Sequence, residues 1–219
     1  MKNTRLISQL AIASGVLSLI SLLPLHFLSY EIDPTWHMVS EYAFGQYGWV
    51  LSIFFFSWAL SYWLTAFTLF PLSKSWIYKL GVILIFISGV GALMGGLFDV
   101  QHSLHGLAFA IGVPFVPIVA PLVTPYLQRK FKTKDKFAFY LSHLTWISFI
   151  LMAIAMISFI SQMQAVGALN TGTPKLMTSL PEGVNSIIGI PNRLLVVSYI
   201  GWLIAINLLS LKFLKAIKK

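Results

Sequence analysis

Asp99-Val100-Gln101-His102-Ser103-Leu104-His105 brings an acid and two histidines together in a very short gap between two long apolar runs, 80–98 and 104–127. Neither run contains Asp, Glu, Lys or Arg. A helix needs about 20 apolar residues to cross the hydrocarbon core, so each run is a membrane span. A gap this short makes the two spans antiparallel neighbours.

The same reading extends outward. Runs at 6–30, 48–72, 137–161 and 194–214 are equally free of charge, apart from Lys212 at the last edge. Of all residues, 58% are hydrophobic and 10% charged, against about 25% charged in a soluble domain. Such a chain has too little charge to cover a surface facing water. The expectation is an all-α, polytopic, six-transmembrane-helix bundle, with 1–219 forming one integral membrane domain. Lys2 and Arg5 ahead of the first run imitate a signal peptide, but the run outlasts a cleavable core of about 7–15 residues. It is therefore read as an uncleaved span. With no cysteine, disulfides, thiolate zinc sites and a thiol nucleophile are excluded.

Orientation follows from the basic residues. All but Lys175 and Arg193 of the 15 gather at one set of helix ends: Lys2, Arg5, Lys74, Lys79, the run at 129–136, and the tail. Both termini and the 128–136 loop are thus expected in the cytoplasm, with the chain in a prokaryotic cytoplasmic membrane. A net charge of +9 suggests nucleic acid in isolation. Charges that also obey the topology rule are better read as contacts to anionic lipid heads, so the expected partner is the bilayer and not nucleic acid.

Opposite those lysines lie Glu31, Asp33, Glu41, Asp99 and Glu182, and every histidine except His143. Asp33-Pro34 reads as a helix start that sets His37 and Glu41 four apart on one face, with Ser40 between them. Trp36, Tyr42, Tyr47 and Trp49 suit the headgroup level. By helical phase, Asp99, His102 and His105 follow one another turn by turn. The candidate outer-face polar site is therefore Ser40, Glu41, Asp99, His102, His105 and Arg193. Within it, His37, His102 and His105 are candidate ligands for zinc or another divalent metal, with Asp99 or Glu41 as base or orienting group. Arg193 reads as an ion-pair partner tying the sixth span to the third, or as a phosphate holder.

The third span carries small-residue stripes through Ser88, Gly91, Ala92, Gly95 and Gly96, which let another helix approach closely and suggest a central place in the bundle. Pro114, Pro117, Pro121 and Pro125 predict a bent fourth span. His143 and Asn207, at similar depths in the fifth and sixth spans, are expected to pair, because both are costly alone in hydrocarbon. In the long loop at 162–192, Asn170–Pro174 and Pro181-Glu-Gly183 read as turns. Ile187–Pro191 is apolar enough to dip into the interface.

Four features together resemble the domain of unknown function 998 family of prokaryotic six-span membrane proteins. They are Ser40-Glu-Tyr before a Gly-bearing turn into the second span, the Gly-rich third span ending in Phe98-Asp99, Ser103-Leu-His105-Gly opening the fourth, and Asn192-Arg193 opening the sixth. The resemblance implies the six-span fold and gives Ser40, Asp99, His105 and Arg193 as the family's polar positions, but it implies no activity. A fainter similarity is to seven-span hydrolases related to alkaline ceramidase, which gather Ser, Asp and His around zinc. This chain departs from them, because its sixth span has no histidine. Three functions follow as expectations. The first is a membrane protein that binds a lipid head group, small solute or membrane partner at the outer pocket. The second is a metal-dependent hydrolase acting on an outer-leaflet lipid. The third is a small-solute transporter, disfavoured because the spans hold so few ionisable groups.

Overall fold

A computed structural model describes residues 2–72, 74–169 and 175–216. The turn expected at 170–174 and the last two lysines lie outside the described residues. Among the described residues, seven α-helices follow in order: α1 Lys2–Leu28, α2 Gly48–Leu69, α3 Trp76–Leu97, α4 His105–Gly112, α5 Val116–Lys130, α6 Lys136–Ala165 and α7 Gly189–Ala216. Short 3-10 helices occupy Val39–Phe44 and Phe70–Leu72, and no strand occurs among the described residues. With α4 and α5 counted as one broken span, six segments are long and apolar enough to cross a membrane. This is the all-α, six-span architecture expected. Hydrocarbon offers no partner for a free backbone N–H or C=O, so only helices or closed barrels cross it.

The helices form a ring of neighbours. α1 packs on α2, α2 on α3, α3 on both α4 and α5, α5 on α6, α6 on α7, and α7 back on α1 and across to α2. The small-residue stripe had suggested α3 as the centre. Instead α7 and α2 are the most enclosed spans, with 67% and 56% of their most apolar windows buried, against 39% for α3. The glycines of α3 face neighbours that need room. Gly89 lies against Trp63 and Tyr62, Gly95 against Phe55, and Gly91 against the backbone of α4.

Polar side chains bind the centre together. Ser8 Oγ of α1 donates to the backbone oxygen and Oδ1 of Asn207 in α7, both at 3.1 Å, and Asn207 Nδ2 donates to Thr65 Oγ1 of α2 at 2.7 Å. Ser61 and Ser18 reach the carbonyls of Ala11 and Phe54. The expected His143–Asn207 pair is therefore not formed. His143 Nδ1 accepts the indole N–H of Trp146 on its own helix. Equal depth places two residues in one plane of the bundle, but helical phase turns Asn207 toward α1 and α2 and leaves His143 elsewhere.

The fourth span breaks between Gly112 and Val116, at Pro114. Proline cannot donate to the carbonyl four residues back, so Pro117 leaves Val113 C=O without its helical partner. The hydroxyl of Tyr199 supplies the missing donor at 3.1 Å. Nearby, Trp202 Nε1 donates to Thr124 Oγ1 at 2.9 Å, so α7 holds both sides of the break. At the far end of α5, Lys132 has φ 51, and the amides of Thr133 and Lys132 close on Gln128 O and Arg129 O. These are the two bonds of a Schellman stop, with lysine where glycine is usual.

Candidate functional site

The end of the bundle opposite the chain termini carries every candidate residue, built around the segment between α1 and α2. Asp33 starts one turn and no more. Its Oδ1 accepts the amide of Thr35 at 2.8 Å and its hydroxyl at 2.7 Å, and these bonds hold the carboxyl below its ordinary pKa. His37 N still bonds to Asp33 O. Met38 is then extended, and the chain restarts as the 3-10 helix Val39–Phe44. The continuous helix expected from Asp33 is lost to tertiary bonds. Val39 N goes to Asn192 Oδ1 at 2.8 Å, Met38 N to Glu41 Oε2 at 2.6 Å, and Gly189 N of α7 to Thr35 O at 3.0 Å. Gly189 is the only residue type that fits there, since a Cβ would fall on Pro34 O and within 2.6 Å of His37 O. Of the apolar stretch Ile187–Pro191, Gly189, Ile190 and Pro191 form the start of α7. Pro191 sits in its first turn, where a missing N–H costs nothing.

Arg193 locks this segment down. Its Nε donates to His26 Nε2 at 2.9 Å, Nη1 to His37 O at 2.7 Å and Gly189 O at 3.1 Å, and Nη2 to the Tyr42 hydroxyl at 3.0 Å. Because His26 Nε2 accepts, its Nδ1 carries the proton, facing Leu22 O at 3.1 Å. Arg193 thus ties α7 to α1 and the first loop. The expected ion pair to α3 does not exist, and a guanidinium already spent on four acceptors is a brace, not a phosphate holder. Glu41 lies close to it. Burial pushes its carboxyl above the ordinary pKa, against the opposing pull of the Met38 amide and of neighbouring His37 and Arg193. Tyr42, expected at the headgroups, is fully buried.

The Asp99–His105 stretch is not helical until His105. Asp99 Oδ1 accepts the Gln101 amide at 2.9 Å and His102 Nδ1 the Leu104 amide at 3.1 Å, and both side chains are exposed. The ring of His102 stacks on Phe98. His105 Nδ1 meets Phe98 O at 2.9 Å, joining α4 to the end of α3. The turn-by-turn alignment of Asp99, His102 and His105 fails because each side chain closes a local backbone turn instead.

The proposed metal set also fails to assemble. His37 is buried, with its ring nitrogens 3.3 Å from Asp33 O and 3.0 Å from Met177 O. His102 lies in the exposed turn, and His105 is committed to Phe98. Among the described residues, no group of three or more His, Asp or Glu is placed to hold a metal ion.

Beneath these residues is a cavity of about 310 Å³ between α2, α3, α4 and α7. Ser40, His105 and Asn192 are the polar side chains at its mouth, and Phe54, Phe55, Ala92, Phe109, Leu195 and Val196 form much of the apolar wall. Trp58 and Tyr62 line its deep part. Along α2 the lining runs from Phe54 to Tyr62, or about 12 Å. Of the six candidates from sequence, the structure brings Ser40 and His105 to this cavity. Glu41 and Arg193 stand behind it, and Asp99 and His102 in the turn above. Asn192, Trp58 and Tyr62 were not among the candidates. Asn192 alone left a trace, as the neighbour of Arg193.

The model of the family described as "Protein of unknown function (DUF998)" matches residues 12–209, from within α1 to near the end of α7. No curated protein and no solved structure matches the chain.

Proposed function

The chain belongs to the DUF998 family, and on that footing we propose that it binds an amphipathic lipid, with one chain in the α2–α3–α4–α7 cavity and its polar end among Ser40, His105 and Asn192. The observation that carries this reading is the one-ended polarity of the cavity: polar groups at the mouth, then an almost wholly apolar wall that runs along α2 from Phe54 to Tyr62, or about 12 Å. Its volume of about 310 Å³ is at the low end for ligand sites, which suits a single chain. His105 helps orient the polar end. Its Nδ1 is engaged by Phe98 O, which turns Nε2 outward as an acceptor for a ligand hydroxyl or amine.

The test is lipid extraction and native mass spectrometry of the gently solubilised protein, beside Ala108→Phe. Ala108 lines the cavity and is 4% exposed, so the added ring takes the space of the chain. A bound lipid in the wild type, reduced about tenfold or more in a variant that still folds, is the expected result. Equal lipid in both would end this reading.

The mouth is at the outer face in this proposal, because the basic residues gather at the opposite end. The absence of cysteine makes this simple to check. Gln101→Cys should react with an impermeant maleimide on intact cells, and Lys132→Cys only after permeabilisation. The reverse pattern would turn the protein over.

A further inference from the structure

The deep part of the cavity is less uniform than its wall. The indole nitrogen of Trp58 and the hydroxyl of Tyr62 are buried there without completing a hydrogen bond. Trp58 is 6% exposed and Tyr62 0%, and the two rings stack with centroids 5.8 Å apart. An indole can only donate, so the pair has two protons to give and one oxygen to receive them. One donor is left over whichever way the hydroxyl turns. Tyr199, whose hydroxyl donates to Val113 O, does not take it either, since neither group has a hydrogen-bond partner within reach.

Buried donors of this kind are nearly always satisfied. A water molecule would find only these two partners, the least of the two to four it needs, because the rest of the surrounding wall is Phe54, Phe55, Met156 and the aliphatic face of α7. An oxygen carried on an otherwise apolar body meets both demands, filling the space and accepting the proton. Resting on the lipid-binding reading above, we infer that the ligand carries a carbonyl oxygen in its buried half, received by Trp58 Nε1–H and the Tyr62 hydroxyl. The ligand class is then an oxo-lipid and not a plain alkyl chain. A carbonyl suits the seat better than a hydroxyl, since it has two lone pairs and brings no third proton into a site already short of acceptors.

The experiment uses the full-length protein in lipid nanodiscs, with octadecanoate and a series of keto-octadecanoates oxidised at successive carbons as probes. Affinities are measured by competition in the wild type, Trp58→Phe and Tyr62→Phe. One keto position is expected to bind about tenfold tighter than octadecanoate, the worth of one net hydrogen bond. That preference, read within each protein as the ratio of keto-octadecanoate to octadecanoate affinity so that any change in basal binding cancels, should fall to within about twofold in each variant. If octadecanoate binds and no keto position is preferred by the wild type, the carbonyl seat is wrong and the lipid reading survives. If neither probe binds and the protein carries no lipid from the membrane, both fall together. The wild-type comparison decides the matter even if a variant fails to fold.

Discussion

Arg193→Gln is expected to release the 29–47 segment from α7 and cost about 3 kcal/mol or more. The guanidinium donates to His26 Nε2, His37 O, Gly189 O and the Tyr42 hydroxyl. Glutamine is too short to reach all four and has two donors in place of five. The orphaned acceptors lie where the segment, α1 and α7 meet, so water reaches them only if the segment lifts. Glu41, which loses a nearby positive charge, would be pushed still further toward its neutral form. Arg193→Lys should recover little, because a point-like ammonium cannot copy the planar fork. Thermal melting in detergent and limited proteolysis between Asp33 and Tyr47 give the readout. A glutamine variant that melts with the wild type and resists protease would show the guanidinium to be a bystander.

Gly91→Ala should be nearly as damaging, and far worse than Gly112→Ala at the same crossing. A Cβ on Gly91 would land on the backbone nitrogen and Cα of Gly112 and 2.8 Å from Ala108 O. Those are main-chain atoms of α4 and cannot rotate aside, so α3 and α4 must separate. The converse substitution points a methyl toward the carbonyl carbon and Cα of Gly91 at 3.3 and 3.4 Å, a contact that a small shift relieves. Overpacking typically costs 1–3 kcal/mol. We expect about 3 kcal/mol for Gly91→Ala and under about 1 kcal/mol for Gly112→Ala, measured by unfolding in mixed micelles. Both glycines line the cavity, so lipid occupancy should fall with Gly91→Ala also. Equal costs for the two would mean that the helices are not held at this crossing.

These two sites mark where the sequence stops being readable. Spans and the tight α3–α4 connection were legible because lipid permits few backbone solutions, and charge-free runs expose them. The break in the fourth span was legible as a bend, since proline acts on its own helix. Azimuth was not. Asn207 and His143 share a depth, yet which way each faces depends on neighbours that no local pattern names. The small-residue stripe of α3 was correctly read as a close approach and wrongly as a central position, because Gly91 admits one short helix at the edge. Arg193 was expected to find acids. It found carbonyls, a phenol and a neutral imidazole, and backbone acceptors leave no mark in a list of residue types. His102 and His105 spent themselves on local turns for the same reason. A cavity is harder still to foresee, being the space that packing leaves.

The docking of Gly189 beneath Pro34 and His37 has a consequence for how the protein is made. The mouth of the cavity joins a segment that leaves the ribosome early to a helix whose partner residue follows 153 positions later. Until α7 enters the membrane, Val39 N lacks Asn192, Thr35 O lacks Gly189 N, and α2 lacks the neighbour that closes its side of the cavity. A nascent chain with five spans inserted therefore has helices but no closed cavity. On the lipid-binding proposal, a lipid enters after α7 is in the membrane, or is enclosed as α7 slides into place.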